Sequence, residues 1–171
     1  MSNHQKIGLG GGCHWCTEGV FHALIGVNKV EQGWISSAKP NEAFSEGVIV
    51  HFDSSIISLE TLIEIHLHTH AATSNHKMRK KYRSAIYFFN ENQQITIAKS
   101  LTDLESTFPK PIITLVLQFV DFRLNKEEQL NYFLSKPNQP FCITYIHPKL
   151  TLLRNEYSNY VNHQKLKSLN V

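Results

Sequence analysis

The sequence predicts an α+β sandwich formed by one domain. Three observations carry that prediction. Short β-branched runs interleave with stretches of helical periodicity, the order follows no strict βαβ repeat, and no internal repeat or low-complexity linker divides the 171 residues. A chain of this length buries a proper hydrophobic core. The domain is expected to span 1–171, with its core at about 6–146 and residues 147–171 as a C-terminal extension.

Lys6 to Leu9 is a short strand that ends in glycines. A helix begins at Cys13, with Val20, Phe21 and Leu24 at helical spacing and Gly26 as its stop. Val27 to Ile35 alternates as a strand, and Ser36 to Ser45, with Pro40 and Asn41, is a loop. Glu46 to Phe52 is a strand rich in Val and Ile. Ser58 is an N-cap for a helix whose apolar stripe is Leu59, Leu62, Ile63 and Ile65. After a polar loop, Thr69 to Lys81, come a strand at Ser84–Phe89, a helix at Glu91–Glu105 and a long strand at Ile112–Phe122. Asn125 to Leu134 reads as helix, Phe141 to Ile146 as a short strand, and the tail from Lys149 as helix.

With 42% hydrophobic and 18% charged residues the composition is that of an ordinary globular chain. A net charge of +3 is too small to imply a nucleic-acid partner, and the basic run Lys77 to Lys81 is expected to be a solvated loop. No apolar run approaches the roughly 18 residues of a membrane span. Met1 to Lys6 lack the apolar region of a signal peptide, so a cytoplasmic location is expected. In a reducing compartment cysteines are more often catalytic, metal-binding or redox-active than structural.

The stretch Gly8-Leu9-Gly10-Gly11-Gly12-Cys13-His14-Trp15-Cys16 admits three chemistries. A dinucleotide cradle would need glycine at position 13, which is Cys13, and an acidic residue at a strand end where Glu31 lies mid-strand. A metal site would draw on His66, His68, His70 and His76, but position 67 is Leu where H-E-x-x-H has its glutamate. Cys13 and Cys16 alone supply only two ligands, so no metal is expected. Thiol chemistry fits best. A cysteine that begins a helix lies where free N–H groups and the helix dipole favour a thiolate, and flanking glycines leave room for a substrate.

The run G-G-G-C-H-W-C-T-E-G-V-F resembles the A-type peptide methionine sulfoxide reductases, whose signature is G-C-F-W-[GC] after a short strand. Gly12, Cys13, Trp15, Cys16, Glu18 and Phe21 match. The resemblance continues through Phe44-Ser45-Glu46 to Phe52-Asp53, through Lys81-Tyr82-Arg83-Ser84-Ala85-Ile86-Tyr87, more thinly through Phe122 to Tyr132, and to Pro140-Phe141-Cys142. It implies a two-layer, ferredoxin-like α+β fold with a mixed or antiparallel sheet. It also implies reduction of the S-epimer of methionine sulfoxide, free or in proteins, without a cofactor.

In that reading Cys13 attacks the sulfoxide sulfur, Glu46 is the buried proton donor, and Tyr82 hydrogen-bonds the sulfoxide oxygen. Trp15 walls the methyl pocket, and Trp34 stands where the family has a second Tyr. The Cys13 sulfenic acid then condenses with a second thiol. Family position favours Cys142, C-x-x-C proximity favours Cys16, and direct external reduction is a third route. A thioredoxin- or glutaredoxin-type protein is the implied reductant.

Several departures bear on specificity. His14 replaces the family's Phe and brings a polar side chain of the type that changes charge near neutral pH. Lys77 replaces an Asp, and Gln129 stands in place of a His. Two rival readings stay open: a dithiol–disulfide oxidoreductase working through Cys13 and Cys16, and a non-catalytic metal- or ligand-binding member of the fold using His66, His68 and His70.

Overall fold

Side-chain alternation dictates the sheet. Ile7 and Leu9 of β1 (His4–Gly10), Val48, Val50 and Phe52 of β3 (Ser45–Asp53) and Ile86 of β4 (Ala85–Phe88) turn to one face and are buried in the main core. Their neighbours Ile49, Ala85 and Tyr87 turn to the other face, where with Ile35 of β2 (Val27–Ser36) they form a smaller second core. The computed structural model describes residues 2–171. Its six strands, with β5 (Leu115–Gln118) and β6 (Asp121–Leu124), lie in the order β5-β4-β1-β3-β2-β6. All pairings are antiparallel except β4 with β5, which are parallel and joined by the crossover helix α3 (Glu91–Leu104). The sheet is thus mixed and the fold α+β, as expected.

Helices α1 (His14–His22) and α2 (Leu59–Thr69) cover the main core. Ser58 caps α2 as predicted, its hydroxyl accepting the Thr61 N–H at 3.1 Å. Gly26, at φ +76°, lies in the turn after α1. In the polar loop before β4 one basic residue is not solvated as expected. Arg79 turns inward and donates to the carbonyls of Ser74, Ala71, Tyr82 and Gly11, pinning the loop to the glycine turn.

Three segments depart from the sequence reading. Ile112–Phe122 is not one long strand. β5 pairs with β4 and β6 with β2, at opposite edges of the sheet. The adjacent amides of Phe119 and Val120 donate to Phe88 and Ser36 respectively, so the sheet rolls around the second core until both edges meet at this crossing. Asn125–Leu134 is not a helix but a 3-10 turn (Glu127–Gln129) and the four-residue α4 (Tyr132–Ser135). Asn131 between them adopts a left-handed φ of 53°, which a right-handed helix cannot run through. Phe141–Ile146 is not a strand: Cys142–Ile146 forms a wide helical turn leading into α5 (His147–Glu156). Cys142 and Ile146 sit one turn apart and are both completely buried, so packing overrides the β-rich composition.

The tail is helical, as expected, in α5 and α6 (His163–Ser168). Leu150, Leu153, Val161 and Leu166 are buried in the main core.

Candidate active site

The glycine run is explained by close approach. A Cβ on Gly10 would lie 3.0 Å from the Arg83 carbonyl and 3.1 Å from that of Glu46, and one on Gly11 only 2.4 Å from the His70 ring. Gly12 has nothing within 4 Å of such an atom. The chain therefore leaves β1 pressed against β3 and α2, then opens just before Cys13.

Cys13 is the N-cap of α1 and half-buried, its carbonyl accepting the N–H groups of Cys16 and Thr17. Cys16 lies one turn on and is buried. The neighbouring Cys16 thiol holds the Cys13 thiol down to about 4, against the opposing effect of burial and with further help from the His14 side chain. Cys13 and burial push Cys16 up, so the pair holds its negative charge on Cys13. The amine of Lys149, from α5, also contributes positive charge near both sulfurs while donating to the Thr69 carbonyl.

Glu46, at the start of β3, meets this helix end. It is 7% exposed, and its Oε2 accepts the backbone N–H of His14 at 3.3 Å, one of the free donors of the first turn. Its Oε1 lies 3.7 Å from His14 Nε2 and 4.0 Å from Lys81 Nζ. Burial raises the Glu46 carboxyl, as does the nearby Cys13, against lowering contributions from His14 and Lys81. One atom each of Cys13, His14 and Glu46 (the sulfur, a ring nitrogen and a carboxylate oxygen) lie within 4.8 Å of one another.

Of the remaining predicted residues, Trp34 and Trp15 bring their rings to His14. Trp34 on β2 sits directly across from Glu46, its ring 5.3 Å from that of His14 in an edge-on contact. Tyr82 lies in a segment clamped to the start of β3: the Glu46 N–H and the Ser45 hydroxyl donate to the Lys81 carbonyl, and the Arg83 N–H donates to Ser45 Oγ. Trp15 stacks on Tyr132 and meets Phe141 edge-on at 5.4 Å. Cys142 is buried in the turn before α5, near enough to Cys16 to raise it further, and its own thiol is raised by burial. None of the three cysteines is in a disulfide.

The histidine cluster is spent on structure. His66 Nε2 bonds the Gly10 carbonyl at 2.9 Å. His70 donates from Nδ1 to the His66 carbonyl and pairs through Nε2 with Ser84 Oγ. His68 stacks on Phe108. These rings do not converge on a metal position, and the positive charge beside Glu46 comes from Lys81, whose Nζ lies 4.0 Å from its Oε1.

Three polar residues in the site were not singled out from the sequence. Glu18, matched in the motif but given no role, is 1% exposed and accepts the N–H groups of Asn131 and Tyr132 at 3.1 and 3.0 Å. Asn125 donates to Gln32 Oε1 at 2.7 Å and lies 3.4 Å from His14 Nε2. Gln32 is legible only as a polar residue in phase with Val30 and Trp34 along the strand. Asn125 carries no sequence signal at all.

Comparison with known proteins agrees with this geometry. A family model described as peptide methionine sulfoxide reductase matches residues 5–161. The peptide methionine sulfoxide reductase MsrA of Trichodesmium erythraeum is 33% identical, over 92% of this chain and 98% of its own. That of Psychrobacter cryohalolentis is 32% identical over the same shares. Among solved structures, Mxr1 from Saccharomyces cerevisiae in reduced form aligns with a TM-score of 0.73 at 19% identity, covering 83% of this chain and 91% of that one. A structure of Mxr1 in complex with Trx2 aligns at 0.60 and 19% identity, covering 74% and 83%. The chain belongs to the peptide methionine sulfoxide reductase family.

Proposed function

We propose that this protein reduces the S-epimer of methionine sulfoxide, free or within a polypeptide, to methionine. The observation that carries the reading is the meeting of Cys13, whose thiol is held down to about 4, with a buried carboxyl, Glu46, that burial raises toward its protonated form. Cys13 attacks the sulfoxide sulfur while Glu46 protonates the departing oxygen, with Tyr82 as a hydrogen-bond donor to that oxygen. The substrate methyl group rests against Trp15 and Trp34. The products are methionine and a Cys13 sulfenic acid.

A second thiol then forms a disulfide and releases water. The position of Cys16 one helical turn from Cys13, where each thiol shifts the other, supports it as the first thiol in reach, whereas Cys142 must leave a completely buried position. An intramolecular disulfide calls for a dithiol reductant of the thioredoxin or glutaredoxin type, and no bound cofactor enters the cycle. A cytoplasmic setting supplies that reductant. Among the described residues no helix is long and apolar enough to cross a membrane.

Turnover of separated S- and R-epimers, free and in a peptide, with dithiothreitol tests this reading. Consumption of an S-epimer is expected, and no activity on any S-epimer overturns it. Mass spectrometry after one turnover without reductant is expected to find a Cys13–Cys16 bridge. A Cys13–Cys142 bridge would assign resolution to the other thiol.

A further inference from the structure

We infer that His14 is a proton-relay residue that works through Cys13 and Glu46, storing the proton that the thiol gives up until the sulfoxide oxygen takes it. The inference rests on the reductase reading for its substrate step, but its core concerns the protein alone.

The geometry singles out His14. Its side chain is buried, yet it sits between the two groups whose protons must move. Nε2 lies 3.7 Å from Glu46 Oε1, and the imidazole is one of three groups whose reactive atoms fall within 4.8 Å. Its backbone N–H holds the other Glu46 oxygen, so ring and main chain grip one carboxyl from two sides. Asn125, anchored by Gln32, points its amide nitrogen at Nε2, which makes that nitrogen an acceptor in the resting state. Nδ1 is buried and has no hydrogen-bond partner. With the hydrogen on the unpartnered Nδ1, the unprotonated Nε2 beside the Glu46 carboxyl can take up a proton, whereas the phenyl ring implied by the family motif offers no such site.

The charged and titratable surroundings are few. Cys13 and Glu18 belong to the same helix end, Glu46 faces His14 from β3, and Lys81 reaches it only through Glu46. β2 contributes the neutral Gln32 and Trp34, and the chain after β6 contributes the neutral Asn125. Lys149 acts on the sulfurs from α5.

The step balances as Cys13–SH plus sulfoxide giving Cys13–SOH plus sulfide. The Cys13 proton moves onto the His14–Glu46 pair as the thiolate forms. It returns to the substrate oxygen as the substrate's sulfur–oxygen bond breaks and the Cys13 sulfur–oxygen bond forms. Cys13 sulfur loses two electrons and the substrate sulfur gains them. No proton is drawn from or lost to water, and the pair ends as it began.

The test compares wild type with His14→Phe and His14→Gln. Cys13 ionisation is read as the pH dependence of its alkylation by iodoacetamide, located by fragmentation mass spectrometry, with no sulfoxide present. Removing the imidazole is expected to raise the Cys13 midpoint by about one pH unit or more in both variants. It is also expected to move the descending limb of the kcat/KM–pH profile upward, because Glu46 loses a neighbour that lowers it. A midpoint and profile unchanged in both variants overturn the relay. A lower activity at all pH values with unmoved limbs also overturns it, leaving His14 a packing residue. If wild type fails to turn over sulfoxide, the reductase reading falls, while the alkylation midpoints still decide the role of His14 at Cys13. Circular dichroism confirms folding, and His14→Gln serves if His14→Phe does not fold.

Discussion

The indole of Trp15 and the ring of Tyr132 lie parallel, with centroids 4.1 Å apart and planes 5° apart. The stack is set from below. Glu18, one turn after Trp15 on α1, receives the backbone N–H groups of Asn131 and Tyr132 and so fixes the aromatic ring over the indole. The left-handed turn at Asn131 presents both donors to one carboxylate.

Removing that ring is expected to loosen Trp15, two residues from Cys13, which the proposed function makes part of the methyl pocket. Tyr132→Ala should raise KM for a sulfoxide by roughly two- to tenfold, the effect of losing an aromatic pair worth about 0.5–1.5 kcal/mol. Tyr132→Phe keeps the stack and should stay close to wild type. Steady-state kinetics on a peptide sulfoxide check both.

The pH–rate profile should be a bell whose limbs come from opposite shifts. Cys13, depressed to about 4, is a thiolate above that pH, so kcat/KM rises as pH increases through it. Glu46 is raised by burial and must carry its proton, so kcat/KM falls as pH climbs through a point above the ordinary carboxylate range. Glu46→Gln should lower kcat/KM by about 10²- to 10⁴-fold and flatten the descending limb. Initial rates measured from acid to alkaline pH decide the matter.

The buried histidines should make the fold acid-sensitive. His22 and His70 are both depressed to about 4, chiefly by burial, and His66 is lowered by the same cause. The unfolded chain binds these protons first as pH falls below the ordinary 6.5, so stability is lost between about 6.5 and 4. For His70 alone this corresponds to roughly 3 kcal/mol. Urea midpoints should fall steeply over that window, and His70→Gln, though less stable at pH 7, should show a shallower slope.

Gly11 and Gly12 are neighbours with opposite tolerance. A methyl group on Gly11 must displace the His70 ring, which is bonded to the His66 carbonyl and Ser84, whereas one on Gly12 enters open space. Gly11→Ala should cost about 1–3 kcal/mol of stability, and Gly12→Ala no more than about 0.5 kcal/mol. Urea unfolding of the two variants separates them.

The first half of the chain was legible because each element satisfies its own periodicity. Ser58 caps, Gly26 takes the turn after a helix that ends earlier, at His22, and the β3 run alternates between two buried faces. The second half is governed by contacts distant in sequence. The β-branched composition of Phe141–Ile146 says strand, but Ile146 and Phe133 close over Gly19, where a Cβ would lie 3.2 and 3.3 Å from them. Cys13, Cys16 and Glu46 were readable from motif and chemistry together. Asn125 and Gln32 were not, because an amide pair assembled by one chain crossing leaves no local pattern.

That crossing gives the sheet a mechanical property. Ten consecutive residues, Leu115 to Leu124, seal both margins, and the switch takes place between two adjacent amides, Phe119 and Val120. Neither margin can breathe without loosening the peptide that seals the other. The margin amides of β2 and β4, far apart in strand order, therefore belong to one cooperative unit. They should exchange with deuterium together, at a rate set by detachment of this single segment rather than by fraying from either end.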